Sequence, residues 1–478
     1  MSQEGMSALE RVQHLLDSGS FVETGRLLTA RNTDFPPVPQ EAPGDGVVTG
    51  YGTIDGRLAF VYSQDHRVLG GSMGEMHTKK ILAVYEQALK TGAPVIGLID
   101  CGGLRLQESV DALDAFGKLY LAQVKAKGII VQIQALFGQA GGGMAISSSL
   151  ADFTFMESSA SLFVNAPDAV EYPGSKRLDT SSVSFHTKET GLADFSGSEG
   201  EILSQIRSLF SILPQNNEDD LSYSENTDDL NRLTPELEGL YRDGLLALSV
   251  ISDNHFVCEV KKDFAREMVT AFLKINGNTI GAVANRSQVL SSEGEVLEEF
   301  PPLLSHEGVD KAARFVGFCN EFRIPLLFLT DVQGYKANIC TERRMPQALA
   351  SLSYAYAAAT VPKVTLLTGE AFGTAMLPMG SKSLGADAVF AWEQAKVGLM
   401  DPKEAVKIIY AQEEDPAVLA READRYEALQ ASALAAAKRG LVDDIISLED
   451  TRKRLAAAFE MLYTKSEGRP PRKNSHLV

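Results

Sequence analysis

The sequence is poor in cysteine. Its four cysteines, Cys101, Cys258, Cys319 and Cys340, form no CxxC pair. A disulfide scaffold and a cysteine-based structural zinc site are therefore not expected. Basic charge is also short: 45 Lys and Arg face 63 Asp and Glu, a formal charge of −18. Proteins that grip nucleic acid normally show a basic face, so that class is set aside. A phosphate-bearing ligand held by a few local cations is not excluded. No apolar run has membrane length. The longest, Gly128 to Ile146, is interrupted by Gln132, Gln134 and Gln139 and is rich in glycine, which reads as a buried strand and turn. The first residues carry Glu4, Glu10 and Arg11 without an apolar core, so no secretory signal is read and the cytosol is the expected compartment. The seven histidines show no HExxH spacing, Ser147-Ser148-Ser149 sits in no GxSxG elbow, and no GxGxxG follows a strand. Zinc hydrolase, serine hydrolase and dinucleotide-binding readings each lack their motif, and no metal site is expected.

What is present is length and α/β patterning. The 478 residues, 44% hydrophobic and 23% charged, have globular composition and suggest about two or three domains. A helix is expected over 8–16, then a loop containing Pro36, Pro37, Pro39 and Pro43. GDGVVTGYGTIDGRLAFVYSQD reads as a hairpin, from the alternation Val47, Thr49, Tyr51 and the turn Asp55-Gly56. Ile81, Leu82, Tyr85 and Leu89 fall on one helical stripe closed by Gly92. PVIGLID is a short apolar run of the kind covered on both faces. The succession of helix, buried strand and glycine turn is an α/β pattern. The stretch 196–235, with Glu218, Asp219, Asp220, Glu225, Asp228 and Asp229, reads as a solvated linker, and the tail from Lys465 as disordered.

The two halves repeat each other. Lys80 and Lys311, Pro94 and Pro325, Asp100 and Asp331, Gly103 and Gly334, and Gly142 and Gly373 are each 231 positions apart. Both halves also place an Ala-Asp pair, Ala151-Asp152 and Ala386-Asp387, before a strand. The chain therefore reads as two copies of one fold. In each copy a glycine turn precedes a helix. The first N–H groups of a helix lack intrahelical partners and lie at its positive end, and two such groups can stabilise a developing oxyanion such as a thioester enolate. A single GGG can equally be a tight turn with no ligand. Its duplicate, Phe372-Gly373-Thr374-Ala375, favours a pair of oxyanion sites. His77 is expected to cap or pack against its helix and the serine run to pack. Arg67, Lys79, Lys80 and Arg105, ordinarily solvated, become candidates for phosphate contacts beside glycine turns.

The segments GDGVVTGYGTIDGR, SQDHRVLGGSMGEMHTKKI, GAPVIGLIDCGGLRLQES, FGQAGGGMAISSSLADFTFM, RFVGFCNEFRIPLLFLTDVQGY, ATVPKVTLLTGEAFGTA and GLVDDIISLEDTRKRL resemble the carboxyltransferase subunits of biotin-dependent acyl-CoA carboxylases, in the single-chain order with both halves fused. The resemblance runs roughly from residue 8 to 460. It implies two tandem crotonase-like β-β-α superhelical domains, an acyl-CoA domain over 1–235 and a biotin-side domain over 236–478. It implies carboxyl transfer between biotin on a carrier partner and the α-carbon of an acyl-CoA, through thioester and ureido oxyanions and without a side-chain nucleophile. The first oxyanion pair then falls on Gly142 and Gly143, the second on Thr374 and Ala375. Thioester-side turns fall on Gly70, Gly71 and Ser72 and on Gly102, Gly103, Leu104 and Arg105. Biotin-side positions fall on Gly334, Tyr335, Gly373 and Leu377. Implied partners are biotin carboxylase and biotin carboxyl carrier subunits, since the chain has no AMKM-like carrier motif, together with a hexamer built as a trimer of dimers. A membrane association through partners follows if the protein belongs to a decarboxylase pump.

The biotin side departs from the family pattern. Gln333-Gly334 replaces a PG pair, RRMPQALASLS stands where GGIIRHGAKLL is usual, and FGTA replaces YGGA, with Leu377 in place of an acidic residue. Thr374 keeps an N–H, but its side chain is expected to crowd the biotin ring. GLRLQES leans toward malonate decarboxylase relatives. A biotin-independent malonyl-thioester decarboxylase and a non-catalytic acyl-CoA-binding scaffold are the alternatives.

Overall fold

A computed structural model of the chain describes residues 5–31, 33, 35, 42, 44–171, 178–219 and 224–468. The proline loop at Pro36, Pro37, Pro39 and Pro43, Asp220, and the tail beyond residue 468 lie outside the described residues. The chain divides into two compact units, Met1–Ser222 and Tyr223–Val478, so residues 223–235 fall in the second.

In the first unit, Ser7 and Glu10 form a capping box that starts the helix Ala8–Leu15. The expected hairpin pairs Val47–Ile54 with Arg57–Gln64, and its turn residues Asp55 and Gly56 have φ of 50° and 77°, as a type I′ turn requires. Tyr51 is exposed, unlike Val47 and Thr49, so the expected alternation stops short there. The next helix, Glu75–Thr91, buries Ile81, Val84, Tyr85 and Ala88 together with His77 and Lys80, and ends at Gly92. Leu82 and Leu89 lie only at the margin of that face.

The sheet of this unit runs Val22–Thr24, Val47–Ile54, Arg57–Gln64, Val95–Cys101, Gln132–Gly141, Phe153–Glu157, Phe195–Gly197. The first two pairings are antiparallel and the rest parallel. Val95–Cys101 is buried along nearly its whole length, as a strand covered on both faces must be. Gln132 and Gln134, which interrupt the long apolar run, are buried and satisfied: Gln134 bonds Ser147 and Ser148, and Gln132 accepts from Tyr85. The serine run is thus packing, as expected.

The second unit repeats this order: Val257–Val260, Met268–Ile275, Asn278–Asn285, Leu326–Val332, Lys363–Phe372, Ala388–Trp392, Asp444–Ile446. Each unit has its own apolar core. The repeat extends to irregularities. The ladder slips between Ile99 and Cys101 in one unit and between Thr330 and Val332 in the other. Asp152 accepts from Gln132 N at 2.8 Å while its own N–H donates to Gln132 O at 2.9 Å. Asp387 does the same with Lys363, at 2.8 and 2.9 Å.

The stretch 196–235 is not all linker. Ser198 and Glu201 form a capping box, and the helix Glu199–Ile212 buries Ile202, Leu203, Ile206, Leu209 and Phe210 in the first unit. The acidic residues that suggested a linker lie beyond it.

Candidate functional site

In the first unit, the strand Gln132–Gly141 leads directly into the helix Gly143–Leu150. Between them Gly142 adopts φ 58° and ψ −116°, a conformation that glycine adopts far more readily than residues with a side chain. Gly373 holds the same place in the second unit, with φ 59°, and opens the short 3₁₀ turn Gly373–Met376. The two expected oxyanion positions are therefore each entered through a positive-φ glycine.

Their details differ. The Gly142 N–H donates to Phe163 O at 2.8 Å, so it points into the sheet. Of the expected pair, Gly142 thus has its N–H engaged, and the N–H groups that open the helix are those of Gly143 and Met144, in the turn that has no intrahelical partners. Phe116 and Tyr120 crowd Gly143. A Cβ there would lie 2.7 Å from Phe116 and 2.8 Å from the Tyr120 hydroxyl, and that hydroxyl donates to Gly143 O at 2.7 Å. In the second unit Thr374 is exposed and Ala375 buried. The Thr374 hydroxyl lies 2.8 Å from the Tyr335 hydroxyl.

The other expected positions come together around these turns. Ser72–Met73 pairs in parallel with Gly103–Leu104, and the Gly102 N–H donates to Gly71 O at 3.0 Å, which brings Gly70, Gly71, Ser72, Gly102, Gly103 and Leu104 to one place. The same element recurs 231 positions on, where Leu303–Leu304 pairs with Gly334–Tyr335. Leu377 follows the second turn and is 39% exposed.

Arg105 departs from expectation. Its guanidinium is buried, 2.7 Å from Asp45 and 2.9 Å from Glu108, and it also donates to Ser72 O at 2.6 Å. Both carboxylates cap the helix Glu75–Thr91: Glu108 accepts from Glu75 N at 2.6 Å and Asp45 from His77 N at 2.8 Å. Arg105 therefore neutralises two helix-capping carboxylates, and each of its guanidinium nitrogens is engaged within the protein. Lys80 is buried as well, donating to Gly44 O and Val47 O. Sequence reasoning missed Asp45, Glu108, Phe116 and Tyr120. Glu108, three residues after Arg105, was the one local signal.

Burial sets the titration of this region. It pushes His77 down to about 3. His77 Nδ1–H donates to Asp45 O at 2.8 Å and its Nε2 accepts from Gln64 at 3.1 Å, as a neutral ring requires. Burial raises the carboxyls of Asp100 and Asp331 above the ordinary range. Arg11 opposes the shift at Asp100, and a hydrogen bond from Glu370 N opposes it at Asp331. Among the described residues no group of three or more His, Cys, Asp or Glu side chains is placed to hold a metal, and no helix is long and apolar enough to cross a membrane.

The region where RRMPQALASLS replaces the usual motif forms the helix Ile339–Ala358, with Asn338 capping it and Pro346 inside. Gln347 and Ser351 occupy the places that Phe116 and Tyr120 hold in the first unit.

A family model described as the carboxyl transferase domain matches residues 2–477. The propionyl-CoA carboxylase beta chain of Roseobacter denitrificans is 38% identical over 99% of this chain and 93% of its own length. The methylmalonyl-CoA decarboxylase subunit alpha of Propionigenium modestum is 37% identical over the same shares. Among solved structures, the transcarboxylase 12S hexamer with methylmalonyl-CoA and methylmalonic acid bound superposes with a TM-score of 0.92, at 35% identity, covering 99% of this chain and 92% of that one.

Proposed function

Because the chain belongs to the carboxyl transferase family, we propose that its two glycine turns serve one reaction, the transfer of a carboxyl group between biotin and the α-carbon of an acyl-CoA. The observation that carries this reading is the duplicated turn, with Gly142 at φ 58° and Gly373 at φ 59° in equivalent positions. Two turns match two oxyanions.

In this reading the first unit takes the acyl-CoA. The N–H groups of Gly143 and Met144 hold the thioester oxygen as the enolate forms, and the loop of Gly70, Gly71, Ser72, Gly102, Gly103 and Leu104 lines the thioester. The second unit faces biotin. Its residues fit the group: Gly373 sits with its α-carbon facing Leu399 O so closely that a Cβ would lie 3.2 Å away, leaving the N–H groups of Thr374 and Ala375 as backbone donors for a ureido oxygen. Biotin, when bound, supplies or accepts the carboxyl group. Preorganised donors of this kind are the largest single catalytic term in most acyl chemistry, so no side-chain nucleophile is required.

The named relatives act on propionyl-CoA and methylmalonyl-CoA, which supports a short-chain acyl-CoA substrate. Biotin carboxylase and biotin carrier subunits are the partners, a hexamer is the assembly, and the cytoplasm is the compartment. The test is carboxyl transfer from methylmalonyl-CoA to free biotin, followed as propionyl-CoA release. Turnover supports the reading. No turnover with malonyl-CoA or methylmalonyl-CoA by an intact oligomer counts against it. The altered helix Ile339–Ala358 favours one other reading, decarboxylation without biotin, and a strict biotin requirement excludes it.

A further inference from the structure

The two units differ most where their turns carry side chains. At the position of Gly143 the second unit has Thr374, and at that of Leu104 it has Tyr335, each 231 positions on. In the first unit Phe116 and Tyr120 leave no space for a Cβ at Gly143. In the second, Gln347 and Ser351 stand in those places, and a threonine is accommodated. An exposed threonine at such a turn brings a hazard. Its hydroxyl can bond nearby backbone N–H groups, and here those are the donors the ureido oxygen needs. The hydroxyl is instead paired with Tyr335 OH at 2.8 Å, and Tyr335 is anchored through the parallel pairing of Gly334–Tyr335 with Leu303–Leu304.

We propose that Tyr335 is a positioning residue for the second glycine turn, holding the Thr374 hydroxyl away from the N–H groups of Thr374 and Ala375. The inference rests on the carboxyltransferase reading and deepens it. It explains how FGTA can do the work of a turn with glycine at the Thr374 position: the tyrosine removes the side chain's competing hydrogen bond. Leu104, its counterpart in the first unit, has no hydroxyl, and the residue at the Thr374 position there is a glycine with no side chain to restrain.

The test is a double-mutant cycle in the intact oligomer. Tyr335→Phe should raise the KM for free biotin about 3- to 10-fold, the range that one neutral hydrogen bond commands, with acyl-CoA affinity by calorimetry unchanged. In the Thr374→Gly background, Tyr335→Phe should have no further effect. Amide hydrogen exchange at residues 374 and 375 should slow in Tyr335→Phe, as the freed Thr374 hydroxyl takes up those N–H groups, and return to the wild-type rate in the double variant. An equal KM effect in both backgrounds means that Tyr335 touches biotin directly and overturns the proposal, as does a Tyr335→Phe variant with wild-type KM and exchange. Absence of carboxyl transfer by the wild type overturns the parent reading instead, and the exchange measurement still decides whether Tyr335 governs the turn.

Discussion

Arg105 and Asp45 form a 2.7 Å ion pair inside the first unit, with side chains 5% and 0% exposed. Asp45 and Glu108 cap the helix that follows the Gly70-Gly71 turn, so a single guanidinium fixes how that helix meets the loop. Arg105→Met leaves two buried carboxylates without their cation. The expected cost is about 3–5 kcal/mol of stability, typical of breaking a buried pair, measured by denaturant unfolding. Acyl-CoA affinity of the folded protein should change little. A stable variant with weakened, salt-sensitive CoA binding would restore Arg105 as a phosphate contact.

Gly143 allows a sharper test of the first turn. Gly143→Ala puts a methyl against Phe116 and Tyr120 and displaces the N–H of residue 143. Carboxyl transfer should fall on the order of 10²-fold, comparable to losing one oxyanion donor, with the melting temperature recorded alongside. Phe116→Ala in the same chain should recover part of the loss by making room. Full activity in Gly143→Ala would remove this N–H from the mechanism.

His77 makes stability depend on pH with a definite sign. Its pKa is about 3 in the folded protein against an ordinary 6.5. Between those values the unfolded chain binds a proton that the native ring refuses, so stability present above 6.5 is lost as the pH falls. The loss is about 1.4 kcal/mol per pH unit for one proton. Unfolding free energies of wild type and His77→Gln between pH 6.5 and 4.5 should differ in slope by close to one proton. Parallel curves would show that His77 is not the group responsible.

Much of the fold could be read from spacing alone. Pro94 and Pro325 open equivalent strands, Asp100 and Asp331 lie at the same ladder irregularity, and Gly142 and Gly373 share a positive φ of 58° and 59°. Positions that depend on backbone geometry repeat because the fold imposes them. The orientation of Arg105 could not be read in this way. Its partner Asp45 lies sixty residues earlier, and burial by a distant segment leaves no periodic trace. The helix Glu199–Ile212 was obscured because the acidic residues beyond it dominated the composition of the window. The Tyr335–Thr374 contact involves Thr374, whose type departs from the family pattern, so the resemblance could mark the change but not its compensation.

The paired hydrogen bonds between Asp152 and Gln132, and between Asp387 and Lys363, close the chain on itself around each glycine turn. The segments 132–152 and 363–387 are in effect noncovalent macrocycles, clasped at the base by one hydrogen bond to a carboxylate and one between backbone groups. In a chain with no disulfide framework these clasps do the work of staples. Each ring fixes the reach of its turn, while contacts from outside it, the Tyr120 hydroxyl on Gly143 O and the Tyr335 hydroxyl on Thr374, fix how the turn is oriented.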